Sequence, residues 1–505
     1  MLPLMTTGQA LRAQSAKRPG KILAYHHGDS YTYSDIVRLA DGFSQFLLAS
    51  GVKPGDRVCL LLPRTPELLI AFIGASQIGV WPAPVNYLVS PAEVNAFIGK
   101  VGPAVIVATD KLYPILGADM VSRKGLKVVV TGAEVPGAIP WASAVAGGGA
   151  PFDTVTDPQS VAYLNYTTGS TGSPKGALAT HANIYWNTLA SVEAFGIGEN
   201  DVHLCMFASF AHPHELFARP IWTGGSMVLL EEISPKAVTR AVSGHSVSCV
   251  MGLAPMYRMM TEHRASLKIP SLRIAESGGM YTMPDINRDF IDSFGVPIYS
   301  VWGSTETTGI AVANTPGAHR VDGSMGKPCP HYEVAVLDHD GAPIVDGEVG
   351  EMAVRSGAVI SGYYENGGAS ISEGGWYRTG DLVRRDHEGF LYFVERKSGM
   401  LKIAGLKAYP LQIELTLMEH PSVALAAVIG VEDKLRGVAP VAFITIRPGR
   451  SVTEDEIKAF VRNRMAAYMA PRKVEIVDDL PRIGSGKVNK MKLKESYLKT
   501  IGVAQ

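Results

Sequence analysis

The sequence predicts an α/β protein with a large N-terminal domain of parallel, helix-covered sheets, a small β-barrel-like subdomain, and a smaller α+β C-terminal domain. Three observations predict it. Short apolar runs alternate with helical patterns through residue 252, as in parallel sheets covered by helices on both faces. Between 330 and 395 the runs shorten, alternate and are split by Gly and Asp, which reads as antiparallel sheet. After about residue 398 a unit of domain size mixes two helical and two strand patterns.

In chain order, Arg57 to Leu62 reads as a strand and Glu67 to Ile78 as a helix. Ala104 to Ala108 and Leu126 to Val130 read as buried strands. Ser226 to Leu230 and Ser248 to Gly252 continue the pattern, and Glu333 to Leu337 and Gly389 to Phe393 are the antiparallel strands. The last unit holds helices at Pro410 to His420 and Glu454 to Arg464, and strands at Ala426 to Val431 and Val441 to Ile446. The expected boundary divides 1–397 from 398–505.

At 505 residues and 46% hydrophobic content the chain can bury large cores. Its 47 Lys and Arg balance 47 Asp and Glu, which speaks against a nucleic-acid partner. Cys59, Cys205, Cys249 and Cys329 are too scattered for a zinc site or disulfide framework, so reduced thiols are expected. With neither a signal-peptide pattern nor an apolar run long enough to span a membrane, a cytoplasmic location is the expectation.

The chemistry begins at Asn165 to Gly176. Thr167, Thr168, Ser170 and Thr171 offer hydroxyl donors, Gly169 and Gly172 let backbone N–H groups converge, and Lys175 adds a point charge. Every one of these groups donates to phosphate oxygen. The strand-like Val161 to Leu164 precedes the stretch and a helix pattern opens near Ala182, so a strand–loop–helix phosphate cradle is expected. It is no Walker loop, because Pro174 precedes Lys175 and Gly176 follows it.

Further segments carry groups that a nucleotide needs. Ser277-Gly278-Gly279 would let backbone approach a flat base. Ser300-Val301-Trp302-Gly303-Ser304-Thr305-Glu306 joins an aromatic face, hydroxyls and a carboxylate suited to Mg²⁺. Asp381 closes Tyr377-Arg378-Thr379-Gly380-Asp381 and could accept from ribose hydroxyls, with Arg396 beside it. Lys487 sits in Ile483-Gly484-Ser485-Gly486-Lys487, a glycine-flanked turn able to carry an ammonium into a site. Taken singly, Trp302 equally fits a core aromatic, Glu306 a solvated carboxylate at a helix start, Asp381 an Asx turn and Lys487 a surface charge.

As an ordered set spanning the chain from Tyr31-Thr32-Tyr33 to Lys487, these segments resemble the adenylate-forming superfamily of acyl-CoA synthetases, nonribosomal-peptide adenylation domains and luciferases. The resemblance implies two half-reactions. A carboxylate attacks the α-phosphorus of ATP to give acyl-AMP and pyrophosphate, and the thiolate of coenzyme A then displaces AMP. It further implies that Thr167 to Lys175 hold the β- and γ-phosphates, that Glu306 binds Mg²⁺, and that Thr305 contacts the α-phosphate. Ser277 to Gly279 and Ser300 to Gly303, Trp302 included, would enclose adenine, while Asp381 and Arg396 would fix ribose. Lys487 would bridge the reacting carboxylate and phosphate. Rotation at Ser398 would then replace it with the segment of Lys402, a nucleotide contact, and of Ala404 and Gly405, contacts for coenzyme A.

The chain departs from the family pattern at Ser398-Gly399, where hinges carry Asp or Lys followed by an acidic residue, at Trp302 for Tyr, and at Lys490 for Arg. By the same resemblance, Phe210, His212, Gly252 and Met280 line the acyl pocket. Arg219 and Arg258 are the cations near enough to recognise a second carboxylate, and either also fits a surface residue or a contact for coenzyme A phosphate. The expected partner is a small carboxylic acid: aromatic, cyclic or short to medium aliphatic. The alternatives are a free-standing adenylation enzyme loading a carrier-protein phosphopantetheine and a luciferase-like adenylate oxidase. A homodimer stays open.

Overall fold

The structure, a computed structural model, describes residues 1–147, 152–166, 175–317, 321–366, 371–372, 374–433, 436–482 and 488–501. It forms two compact units. The first comprises Met1–Val334 with Val354–Tyr377, and the second Ala335–Ala353 with Arg378–Gln505.

The first unit contains two parallel sheets. Strands Trp81–Pro84, Arg57–Leu61, Val105–Thr109, Lys127–Thr131 and Ile139–Pro140 lie side by side in that order, all parallel. Helix Pro66–Ser76, which follows strand Arg57–Leu61 in the chain, has side chains that are apolar and buried on nearly every face, as expected for a helix enclosed by other layers. The second sheet has nine strands, of which six central ones are parallel: Ile298–Ser304, Ile274–Ser277, Cys249–Gly252, Val202–Cys205, Ser226–Val228 and Ile22–His26. Antiparallel neighbours close both edges. One face of this sheet packs Leu204, Met206, Val250, Ala275 and Ile298 against Tyr257 and Phe290 of the covering helices.

A third sheet sets the phosphate segment differently from the strand–loop–helix expectation. Strand Val161–Tyr166 pairs antiparallel with Gly176–Thr180, Tyr166 opposite Gly176, so the loop joins the arms of a hairpin. A second strand intervenes because Ala177, Leu178 and Ala179 are apolar and buried, extending the ladder before any helix begins. Helix His181–Phe195 then starts with a capping box between Thr180 and Asn183 and ends at Gly196, which takes a left-handed φ of 60°.

Strands Glu333–Leu337, Val349–Arg355, Tyr377–Arg385 and Leu391–Arg396, most of whose residues belong to the second unit, form one sheet, and its last pair is antiparallel. Beyond it lie the hairpin Leu401–Ile403 with Leu406–Ala408 and a three-stranded sheet of Val423–Asp433, Gly437–Ile446 and Lys473–Ile476. That sheet buries both faces. Val428, Ala442 and Ile444 meet the helices carrying Ile413, Leu417, Ile457 and Val461, while Ile429, Val441 and Phe443 meet Leu480 and Leu493. Among the described residues no helix is long and apolar enough to cross a membrane.

Candidate active site

In parallel sheets, ligands gather outside the carboxyl ends of the strands. Three such ends stand side by side here: Gly252 pairs with Ser277, and Ser277 with Ser300. Gly252 and Gly278 are needed by their surroundings. A Cβ on Gly252 would lie 2.7 Å from Met206 Cε, and one on Gly278 would lie 2.8 Å from Val301 Cγ2. Met206 and Val301 thus fill the space beside these two glycines. Ser277 is fixed by a hydrogen bond from Thr282 Oγ1 (2.7 Å), and Trp302 is half-buried rather than a core ring.

Beyond Trp302, strand Ile298–Ser304 turns back on Gly309–Ala313, and Thr305 and Glu306 ride on the hairpin turn. Glu306 is therefore not at a helix start. The turn is tied down from four directions. Tyr332 Oη donates to Thr307 O (2.8 Å), Asn187 Nδ2 to Ile310 O (3.0 Å), and Ile360 N to Glu306 O (2.9 Å). His214 supplies the fourth tie at Thr308 O, 2.9 Å from Nε2. Since a carbonyl only accepts, Nε2 carries the proton, and Nδ1 accepts from Tyr163 Oη at 2.9 Å. Burial pushes the His214 pKa down to about 4, so the ring is neutral and this tautomer persists at neutral pH.

Tyr363 links the carboxylate to the phosphate segment. Its hydroxyl donates to Glu306 Oε1 (2.8 Å), and the Lys175 ammonium lies 5.2 Å from the centre of its ring. Burial and the Glu306 charge both raise the Tyr363 pKa, which keeps the hydroxyl a donor. Glu365 accepts from Gly176 N (2.8 Å) and pairs with Lys100 (2.9 Å), anchoring the base of the same hairpin. Lys175 and Glu306, far apart in sequence, thus meet around one tyrosine. Thr167, Thr168, Gly169, Ser170, Thr171 and Gly172 lie outside the described residues.

Of the acyl-pocket candidates, Phe210 packs edge-on against Tyr87 (5.5 Å), and His212 stands edge-to-face with His214 (6.2 Å). Met280 packs on the core beneath the nine-stranded sheet. Arg219 is no pocket cation and no surface residue. It is fully buried, with Nη1 and Nη2 donating to Glu276 at 2.6 and 3.0 Å and Glu215 at 3.7 Å. Burial pulls its pKa down, but Glu276 and Glu215 more than offset that, so it stays protonated. Arg258 is half-exposed and paired with Asp285 at 3.3 Å.

In the second unit Asp381 and Arg396 face each other across adjacent strands, and Arg396 Nε lies 2.6 Å from the buried Asp381 carboxylate. Ser398 sits in a turn closed by Gly399 N donating to Arg396 O (2.8 Å). Gly399 is explained by its neighbour: a Cβ there would be 3.0 Å from Glu395 Oε1, a poor place for an acidic side chain. Lys402 is exposed on the hairpin whose turn is Ala404-Gly405, both left-handed at φ 49° and 85°. Lys487 lies outside the described residues. Lys490 pairs with the buried Glu414 at 2.7 Å and so holds the start of the last helix.

Sequence reasoning missed His214, Tyr363, Asn187, Tyr332 and the Glu276 to Arg219 pair. Each works through a partner distant in sequence, although His214 lies two residues from His212 and Glu276 directly before Ser277-Gly278-Gly279.

The sequence pattern of the AMP-binding enzyme family matches residues 11–364, and that of the AMP-binding enzyme C-terminal domain matches residues 412–487. The chain belongs to the AMP-binding enzymes, the adenylate-forming superfamily. Among its relatives, a feruloyl-CoA synthase of Amycolatopsis is 30% identical over 480 residues, covering 94% of this chain and 95% of the relative. A benzoate–CoA ligase of Thauera aromatica is 30% identical over 497 residues, covering 95% and 94%. An anthranilate CoA ligase solved with anthranoyl-AMP superposes with a TM-score of 0.90 at 25% identity, over 99% of each chain. This AMP-binding enzyme is thus matched over nearly its whole length by these relatives.

Proposed function

We propose that the acid activated by this AMP-forming carboxylate–CoA ligase is an aromatic monocarboxylate. The observation that carries the choice is Arg219, which is locked in an ion pair with Glu276 and so cannot receive a second carboxylate. Arg258, at the surface with Asp285, is no better placed. Phe210 and Met280 suit a flat apolar ring. The relatives named for feruloyl, benzoate and anthranilate support the same class.

In this reading Gly278 and Gly279, with Trp302, bind the adenine, and Lys175 with Thr167 to Gly172 binds the terminal phosphates. Thr305 donates to the α-phosphate. Asp381 and Arg396 are assigned to ribose, Lys402 to the nucleotide, Ala404 and Gly405 to coenzyme A, and Lys487 to stabilising charge during adenylation. Glu306, an oxygen donor on a turn held at four points, fits Mg²⁺, which when bound would offset phosphate charge. The acid needs no general base, because a carboxylate is ionised at neutral pH. Tyr363 acts by holding Glu306 in one orientation. The proposed functional bodies are 1–397 and 398–505, swivelling at Ser398. The four buried thiols support a cytoplasmic setting.

The test is pyrophosphate release from Mg-ATP across a panel of acids, with and without coenzyme A. Benzoate-type acids should release it, whereas dicarboxylates and long-chain acids should lag by at least about tenfold, a difference of 1.4 kcal/mol. Preference for a dicarboxylate would refute the aromatic reading. Thioester formed only on a carrier protein would replace coenzyme A as acceptor.

A further inference from the structure

One cluster in the first unit stands apart from every residue assigned above. Strands Ile22–His26 and Asp29–Thr32 form a hairpin at the edge of the nine-stranded sheet, turned by His27 and Gly28. His27 takes φ 49°, an uncommon conformation for a side-chain-bearing residue. Both imidazoles converge on one carboxylate: His26 Nε2 is 3.5 Å and His27 Nε2 3.1 Å from Glu231 Oε1. Ligand atoms of all three side chains lie within 4.8 Å of one another.

The carboxylate is held on a rigid support. Arg64, buried, donates to Leu230 O (2.6 Å), Glu231 O (2.9 Å) and Phe207 O (3.0 Å), fixing the backbone that carries Glu231. Leu229 N donates to Tyr25 O (2.9 Å), locking that segment to the histidine strand. His26 Nε2 is buried and has no hydrogen-bond partner among the described residues, a costly state for a polar atom.

We propose that His26, His27 and Glu231 form a binding site for a divalent transition-metal ion, with solvent completing the coordination. Two imidazoles and one carboxylate are a donor set that Zn²⁺, Cu²⁺ and Ni²⁺ accept, whereas Mg²⁺ prefers oxygen throughout. The site is thus chemically distinct from the carboxylate on the Glu306 turn. At 3.5 Å from Glu231 Oε1, His26 Nε2 makes no hydrogen bond, and a metal ion would satisfy it.

The test is equilibrium dialysis of the full chain against Zn²⁺ with excess Mg²⁺ present, for wild type, His27→Ala and Glu231→Gln. Both substituted side chains are partly exposed, so the variants should fold, and a thermal melt in chelator checks that they do. Wild type should retain about one Zn²⁺ per chain, and each variant should bind it at least about tenfold more weakly, since losing even an outer partner of a ligand costs that much. Co²⁺ in place of Zn²⁺ should give a visible absorption band that both variants lose. Ligase turnover without added zinc should be unchanged in both. Equal Zn²⁺ affinity in wild type and both variants, or no Zn²⁺ retained by wild type, would overturn the proposal.

Discussion

Replacing Arg219 with Met should destabilise the first unit far more than loss of an ordinary surface ion pair. The guanidinium is 1% exposed and makes two hydrogen bonds to Glu276, itself 0% exposed, with Glu215 on its other side. Its removal leaves two buried carboxylates facing each other without a cation. Breaking a buried pair in this way costs about 3–5 kcal/mol. All six tryptophans lie in the first unit, so fluorescence in a urea titration reports on that unit alone. With a urea slope of about 3 kcal/mol/M, the midpoint should fall by about 1–1.7 M. The double variant Arg219→Met, Glu276→Leu should recover a large part of the loss, because the pair as a whole brings little net stability. A midpoint shift below about 0.3 M, or a double variant no better than the sum of the singles, would refute the reasoning.

Tyr363→Phe removes the hydrogen bond to Glu306. Bonds to charged groups contribute about 1.5–3 kcal/mol, so acid-dependent ATP–pyrophosphate exchange should slow about ten- to hundredfold. Gly399→Asp sets a carboxylate beside Glu395, where like charges about 4 Å apart repel by about 1 kcal/mol even in water; hydrogen exchange at the Leu411 amide, which donates to Glu395, should speed up beyond its rate in Gly399→Ala. Buried His181, His203 and His214 have pKa values pushed down by burial to about 4, 3 and 4, against about 6.5 when unfolded. Unfolding then takes up protons, so their contribution to stability is complete above pH 6.5 and is lost as pH falls toward 4. The urea midpoint of the tryptophan signal should decline over that window; constancy between pH 6.5 and 4.5 would contradict it.

What the sequence revealed tracks how local the physics is. Parallel strands such as Val105–Thr109 and Lys127–Thr131 are continuous apolar runs, legible within a few residues of their bounds. The strand Glu333–Leu337 was legible from its alternation, and the expected antiparallel pairing is seen between Tyr377–Arg385 and Leu391–Arg396. The strand Gly176–Thr180 was not, because five residues of small and apolar character gain their strand state only by pairing with Val161–Tyr166. The glycines of the site were visible as motifs, and the structure supplies their reasons: Val301 beside Gly278, Met206 beside Gly252, Glu395 beside Gly399. Positioning residues were out of reach. Nothing near Tyr363 points to Glu306, 57 residues earlier, and nothing near Arg219 points to Glu276, also 57 residues away. Arg219, read as a pocket or surface cation, proved to be structural.

The most direct test of the central claim is to incubate the protein with Mg-ATP, an aromatic monocarboxylate and coenzyme A, and to quantify AMP, pyrophosphate and acyl-CoA together. The account predicts the three in equal amounts, with pyrophosphate release strictly dependent on the acid. Failure of every aromatic acid to release pyrophosphate, or its release with no thioester formed on coenzyme A, would contradict it.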